Sequence, residues 1–118
     1  MFLLHLPERP FRAIQKGIKK VEGRSPDSKD NKYEKMKPGD LLFFEHEETG
    51  EELKTKILFV HHYSDVKSML KAEGVENVLS SEPKTIEHGI ESYNSLTNYK
   101  ERISKFGIYA IGVEPIKK

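Results

Sequence analysis

The chain has no cysteine among its 118 residues. Disulfides, thiolate nucleophiles and thiolate metal cages are therefore excluded, and the composition is compatible with a reducing cytosol. It also lacks an excess of either charge: 33% of the residues are charged, yet the formal net charge is only +1. Without a global basic field of the kind that drives nonspecific duplex binding, any nucleic-acid site must be a local patch. No apolar run approaches the roughly 20 residues that a membrane helix needs. The apolar start, Met1 to Leu6, is too short for a signal core and has neither a basic leader nor a small-residue cleavage site. It reads as a first strand, and the expected location is cytoplasmic. Glycine-rich phosphate loops, Gly-x-Ser-x-Gly elbows, metal-ligand spacings and internal repeats are missing as well. The usual large enzyme classes find no support, and no metal or cofactor is expected.

What remains suits one domain over residues 1–118, because 36% hydrophobic content can build a modest core at this length. The most informative stretch is Gly17-Ile18-Lys19-Lys20-Val21-Glu22-Gly23-Arg24. A helix precedes it, with Phe11, Ile14 and Ile18 at helical spacing, Pro10 in the first turn and Gly17 as the stop. If the chain is extended from Lys20 onward, Lys20, Glu22 and Arg24 share one face, while Lys19, Val21 and Gly23 share the other. A line of cation, anion and cation can be the charged face of an edge strand or a polar binding site.

Ser25 to Lys35 is a polar loop, either a connector or a cover for a ligand cleft. Lys37-Pro38-Gly39-Asp40 is a turn with type II chemistry, Pro presetting φ and Gly supplying the positive φ. It feeds Leu41 to His46, which should pair as an antiparallel hairpin with Leu53 to Val60 across the Glu48–Glu51 turn. The alternation of the second strand predicts that it begins half-exposed and finishes buried on both faces. His61 and His62 follow; as neighbours on a strand they point to opposite faces and cannot chelate one metal. His46, His61 and His62 can meet across strands, where a histidine can serve as a general base near neutral pH. Ser64 or Asp65 caps a helix running from Val66 to Gly74, and a short turn follows over Val75 to Leu79. Thr85 then opens another helix, with Ile86, Ile90 and Tyr93 as its apolar stripe. Tyr93, Tyr99 and Lys105 precede a last strand from Phe106 to Val113. Both tyrosines can stack on a base, although tyrosine at helical spacing is more often core.

Taken in order, Pro10-Phe11, the G-x-K-x-V-E-x-R segment at Gly17 to Arg24, Lys37-Pro38-Gly39-Asp40, His61-His62-Tyr63 and the closing strand resemble the ASCH domain, a branch of the PUA-like superfamily. The resemblance covers nearly the whole chain. It implies an α+β fold in which about five or six strands curl into a PUA-like mixed β-barrel flanked by two or three helices. It also implies a cleft between barrel and helices lined by the segment after the first helix, here Lys19, Lys20, Glu22 and Arg24, that takes RNA or a nucleotide, single-stranded or with a modified base. Arg24 can pair a phosphate or base edge bidentately, the lysines can neutralise phosphates, and Glu22 can accept from an exocyclic amine. Tyr93 and Tyr99 are the candidate stacking partners.

Relatives include a ribonuclease and bacterial hydrolases that cleave the acetyl amide of N4-acetylcytidine with a lysine, a threonine and a glutamate. Their lysine carries over to Lys19, whereas their threonine falls opposite Glu22. Position 20 is lysine where the family often carries threonine. A small hydrolase using Lys19 and Glu22 is thus the alternative function, and a purely protein-binding adaptor comes last.

Overall fold

A computed structural model describes residues 1–117. The chain runs β1 (Phe2–Leu6), α1 (Glu8–Gln15), β2 (Val21–Arg24), a 3-10 turn (Lys32–Lys35), β3 (Leu41–His46), β4 (Glu52–Tyr63), α2 (Val66–Glu73), α3 (Val75–Val78), α4 (Ile86–Asn94), α5 (Tyr99–Phe106) and β5 (Ile108–Pro115). The five strands form one sheet in the order β1-β3-β4-β5-β2, with β1 parallel to β3 and the other pairs antiparallel. It is a half-barrel of an α+β fold consistent with the PUA-like expectation, leaving β1 and β2 as its edges.

Local chemistry sets most boundaries. Gly17, at φ +78°, ends the first helix by donating its N–H to the Ile14 carbonyl. Gly39 takes φ +95° in the Lys37–Asp40 turn, which the Asp40 N–H closes on the Lys37 carbonyl. Asp65 caps α2 by accepting from the Ser68 N–H, and Thr85 caps α4 by accepting from the His88 N–H. Three expectations need correction. Ile18 is not on the helical stripe, because α1 has already ended, and its side chain is exposed. The helices exceed the two or three expected: α5 occupies a stretch that carries no apolar stripe beyond Ile103 and Phe106, and Asn98 enters it in the left-handed conformation. The third concerns β4, which does not finish buried on both faces.

The reason is a bulge. Ile57 pairs with Val113 but Phe59 pairs with Gly112, so one extra residue is spent between them and Leu58 is left 45% exposed. The pleat changes phase there. Leu53, Thr55 and Ile57 are buried on one side of the sheet; beyond the bulge it is Val60 that joins their cluster, while Phe59 and Tyr63 pack on the other.

Two cores result. Phe11 and Ile14 of α1 pack with Leu42, Phe44, Ile57 and Ile111 on the inner face of the sheet. Met69, Leu70, Val78, Tyr93 and Ile103 pack with Val21, Ile108 and Ala110 on the other, beneath α2 to α5. In the second core Gly89 lets α4 approach α2 closely: a Cβ there would lie 2.4 Å from Leu70 Cδ1 and 3.3 Å from Leu79 Cδ2. Gly89→Ala gains about 1 kcal/mol of helix propensity but overpacks a buried leucine, at a cost of about 1–3 kcal/mol. Net destabilisation is expected, read as a lower urea midpoint at unchanged m-value.

Candidate functional site

The unpaired edges of the half-barrel face each other across a gap, and a cavity of about 490 Å³ occupies it. Its walls come from the β1–α1 corner (His5 to Pro7, Arg9), the β2 edge (Glu22 to Arg24), the α3–α4 connection (Leu79 to Ser81) and the α4–α5 corner (Tyr93, Leu96, Thr97, Tyr99). This volume falls within the range of small-molecule pockets.

Lys19, Glu22 and Arg24 meet in the cavity wall. Lys19 Nζ lies 3.4 Å from Glu22 Oε1, and Arg24 Nε donates to Glu22 Oε2 at 2.6 Å. Lys19 is only 4% and Glu22 only 6% exposed. The ammonium also donates to the Val21 carbonyl at 2.8 Å and to the Val78 carbonyl, which ties the edge of β2 to α3. Arg24 Nη2 donates to the His5 carbonyl at 2.7 Å, so a side chain bridges β2 to β1 where no backbone ladder exists. Every buried side-chain nitrogen and oxygen among the described residues has a partner, as a charged cluster in low dielectric requires.

The cluster sets its own protonation. Burial pushes the Lys19 ammonium below its ordinary value, and neighbouring Arg24 adds to that; Glu22 opposes both without overcoming them. Burial alone would raise Glu22, but the charges of Arg24 and Lys19 outweigh it and hold the carboxyl below the usual range. Arg24 is held fully protonated.

Lys20 does not join this group. The strand begins one residue later, at Val21, so the Lys20 side chain is exposed and lines a separate groove with Leu58 and Phe59. Lys19 lies before the strand and folds back, which is why it meets Glu22 despite opposite parity in the sequence. Tyr93 and Tyr99 both line the cavity. Tyr93 is buried in the second core, its hydroxyl against Gly23; a Cβ on Gly23 would lie 2.4 Å from that oxygen. Tyr99 is half-buried at the start of α5, with the Arg102 guanidinium 5.9 Å from its ring centre. The loop from Ser25 to Lys35 does not reach the cavity lining; it turns away and buries Tyr33 against Tyr109.

Sequence reasoning missed Arg9. It sits on the rim, exposed, in the first turn of α1. A cation opposes the helix dipole there, and that mismatch was the available signal. The histidines do not converge: His46 Nε2 lies 2.7 Å from Glu8, His61 Nδ1 2.7 Å from Glu73, and His62 Nε2 donates to the Phe106 carbonyl at 2.7 Å. Among the described residues no group of three or more His, Asp or Glu is placed to hold a metal ion, and no helix is long and apolar enough to cross a membrane.

Glu22→Gln leaves two cations without their counter-charge. A loss of about 3–5 kcal/mol is expected in urea denaturation. Because the folded-state carboxyl is held below its unfolded value, its stabilisation is complete above the ordinary range and is lost as pH falls through the folded value. The variant should therefore show a flatter acid limb in melting temperature against pH.

Known proteins accord with this architecture. Residues 4–117 match the ASCH domain. The crystal structure of hypothetical protein PH0355 is similar at 40% identity over 98% of both chains, with a TM-score of 0.82. The solution structure of protein PF0455 from Pyrococcus furiosus is similar at 35% identity over 100% of both chains, with a TM-score of 0.74. No curated protein matches. With the family matched from the first strand to the last, over the residues that build both the half-barrel and its seam, the chain belongs to the ASCH domain family.

Proposed function

We propose that the seam cavity binds RNA or a nucleotide, taking one base between Tyr99 and the Lys19–Glu22–Arg24 wall. The observation that carries this reading is the buried Glu22 carboxylate, held ionised by two cations in the wall of a cavity of about 490 Å³ whose rim carries an exposed arginine, Arg9. A base with an exocyclic amine can donate to a spare lone pair of the carboxylate, while the Arg24 guanidinium faces a carbonyl or ring nitrogen. The half-buried Tyr99 ring offers a stacking face, and Arg9 stands where a phosphate leaving the cavity would pass. Lys19 supports this from within: its donors already serve two carbonyls and Glu22, so its part is to hold the carboxylate and not to meet a phosphate.

A hydrolase acting on RNA or on a modified nucleoside is the second reading. It is favoured by the same pair, since a lysine pushed down by burial beside an ionised carboxylate is a possible base and proton relay. Lys19→Ala is a poor probe of either reading, because it strands two buried carbonyls and an acidic charge.

Rim residues test the site without unfolding it. Tyr99→Ala should weaken nucleotide binding by roughly 1–3 kcal/mol in calorimetric titration. Arg9→Ala should reduce affinity and make the salt dependence shallower by about 0.7 in log–log slope, the share of one phosphate on a single strand. The parent slope should be only about −1 to −2. Unchanged affinity in both variants would remove the cavity as the binding site. Product formation from RNA or N4-acetylcytidine, detected by chromatography, would select the hydrolase reading.

A further inference from the structure

We propose a second base-binding site: a stacking platform made by His62 and Tyr109 at the open end of the sheet, which takes the next nucleotide of a single-stranded RNA whose first base occupies the seam cavity. This rests on the nucleotide reading above and extends it from a single nucleotide to a strand.

The register supplies the geometry. Arg24 pairs with Tyr109, and Tyr109 pairs with His62. Directly opposed residues on antiparallel strands point to the same face, so guanidinium, phenol and imidazole form a row across β2, β5 and β4. Two inter-strand steps span about 10 Å, a distance that a nucleotide step can bridge. Arg24 lines the cavity, and its place opposite Tyr109 sets it beside the platform.

The platform is built and held. His62 and Tyr109 ring centres are 4.7 Å apart, and Tyr33 backs Tyr109 at 5.7 Å. The His62 ring is fixed by donating Nε2–H to the Phe106 carbonyl at 2.7 Å. Gly107 makes room for it, since a Cβ there would lie 2.6 Å from that same nitrogen. His62 itself is exposed and Tyr109 half-buried, so ring surface faces solvent over a concavity of about 440 Å³. Lys32 places its ammonium 5.9 Å from the ring centre of Tyr33, which backs the platform, while Glu34 lines the concavity itself, so the ring faces and not a phosphate contact carry this site. Every base offers a π-face to such a surface, while a duplex, whose bases are already stacked, does not.

The test compares nucleoside 5′-monophosphates with single-composition RNA pentamers by titration calorimetry. The best pentamer should bind at least about tenfold more tightly than its monophosphate. His62→Ala should weaken the pentamer by about tenfold and leave the monophosphate within about twofold. His62→Phe, which loses the bond to the Phe106 carbonyl but keeps a ring, should retain the parent affinity for the pentamer. If monophosphates bind while pentamers gain nothing, or if His62→Phe is as weak as His62→Ala, the platform is overturned and the cavity stands. If neither monophosphates nor pentamers bind, the cavity reading fails and takes the platform with it.

Discussion

Glu22 holds two cations at the seam of the half-barrel, and through them it holds the seam itself. Lys19 carries the tie from Glu22 to the carbonyls of Val21 and Val78, and Arg24 carries it to the carbonyl of His5. Backbone ladders end at β1 and β2, so these side chains supply the donors that a further strand would have brought. A closed ladder would leave no cavity, whereas an unsatisfied edge would be costly to bury. A charged cluster resolves the conflict: it satisfies edge carbonyls while keeping a gap wide enough for a ligand.

The helical side of the cavity depends on a different constraint, close approach. Gly23 lets the Tyr93 hydroxyl rest against β2, and Gly89 lets α4 settle on Leu70 of α2. The α4–α5 corner, with Tyr99 beyond it, is therefore brought over the seam by packing, while the wall opposite is positioned by charge. On the proposed reading, stability and recognition share residues on both walls, and for that reason the informative substitutions lie on the rim.

Much of this was legible in the chain. Gly17, Lys37-Pro38-Gly39-Asp40, Asp65 and Thr85 each act through local backbone geometry, and each sits where its chemistry predicts. The grouping of Lys19, Glu22 and Arg24 was legible in part: i,i+2 parity joined Glu22 to Arg24 correctly, but it put Lys20 in the place of Lys19, because parity applies only once the strand has begun. Arg9, Ser80, Ser81, Leu96 and Thr97 reach the cavity only through tertiary packing. No periodicity marks them. The α5 helix escaped for a related reason, since its apolar content is too sparse to show a stripe and its burial is imposed by the sheet beneath.

The bulge at Leu58 was likewise invisible, because Ile57-Leu58-Phe59-Val60 is apolar throughout and hides a change of phase. It acts as a frame-setter for all that follows on β4. Which of two adjacent histidines meets the aromatic row, and which meets Glu73 on α2, is decided upstream and not by either histidine's own neighbours. The extra residue is what sets His62, and not His61, opposite Tyr109: a regular strand of the same length would pair Leu58 with Gly112 and exchange the two imidazoles between layers while every side chain kept its identity.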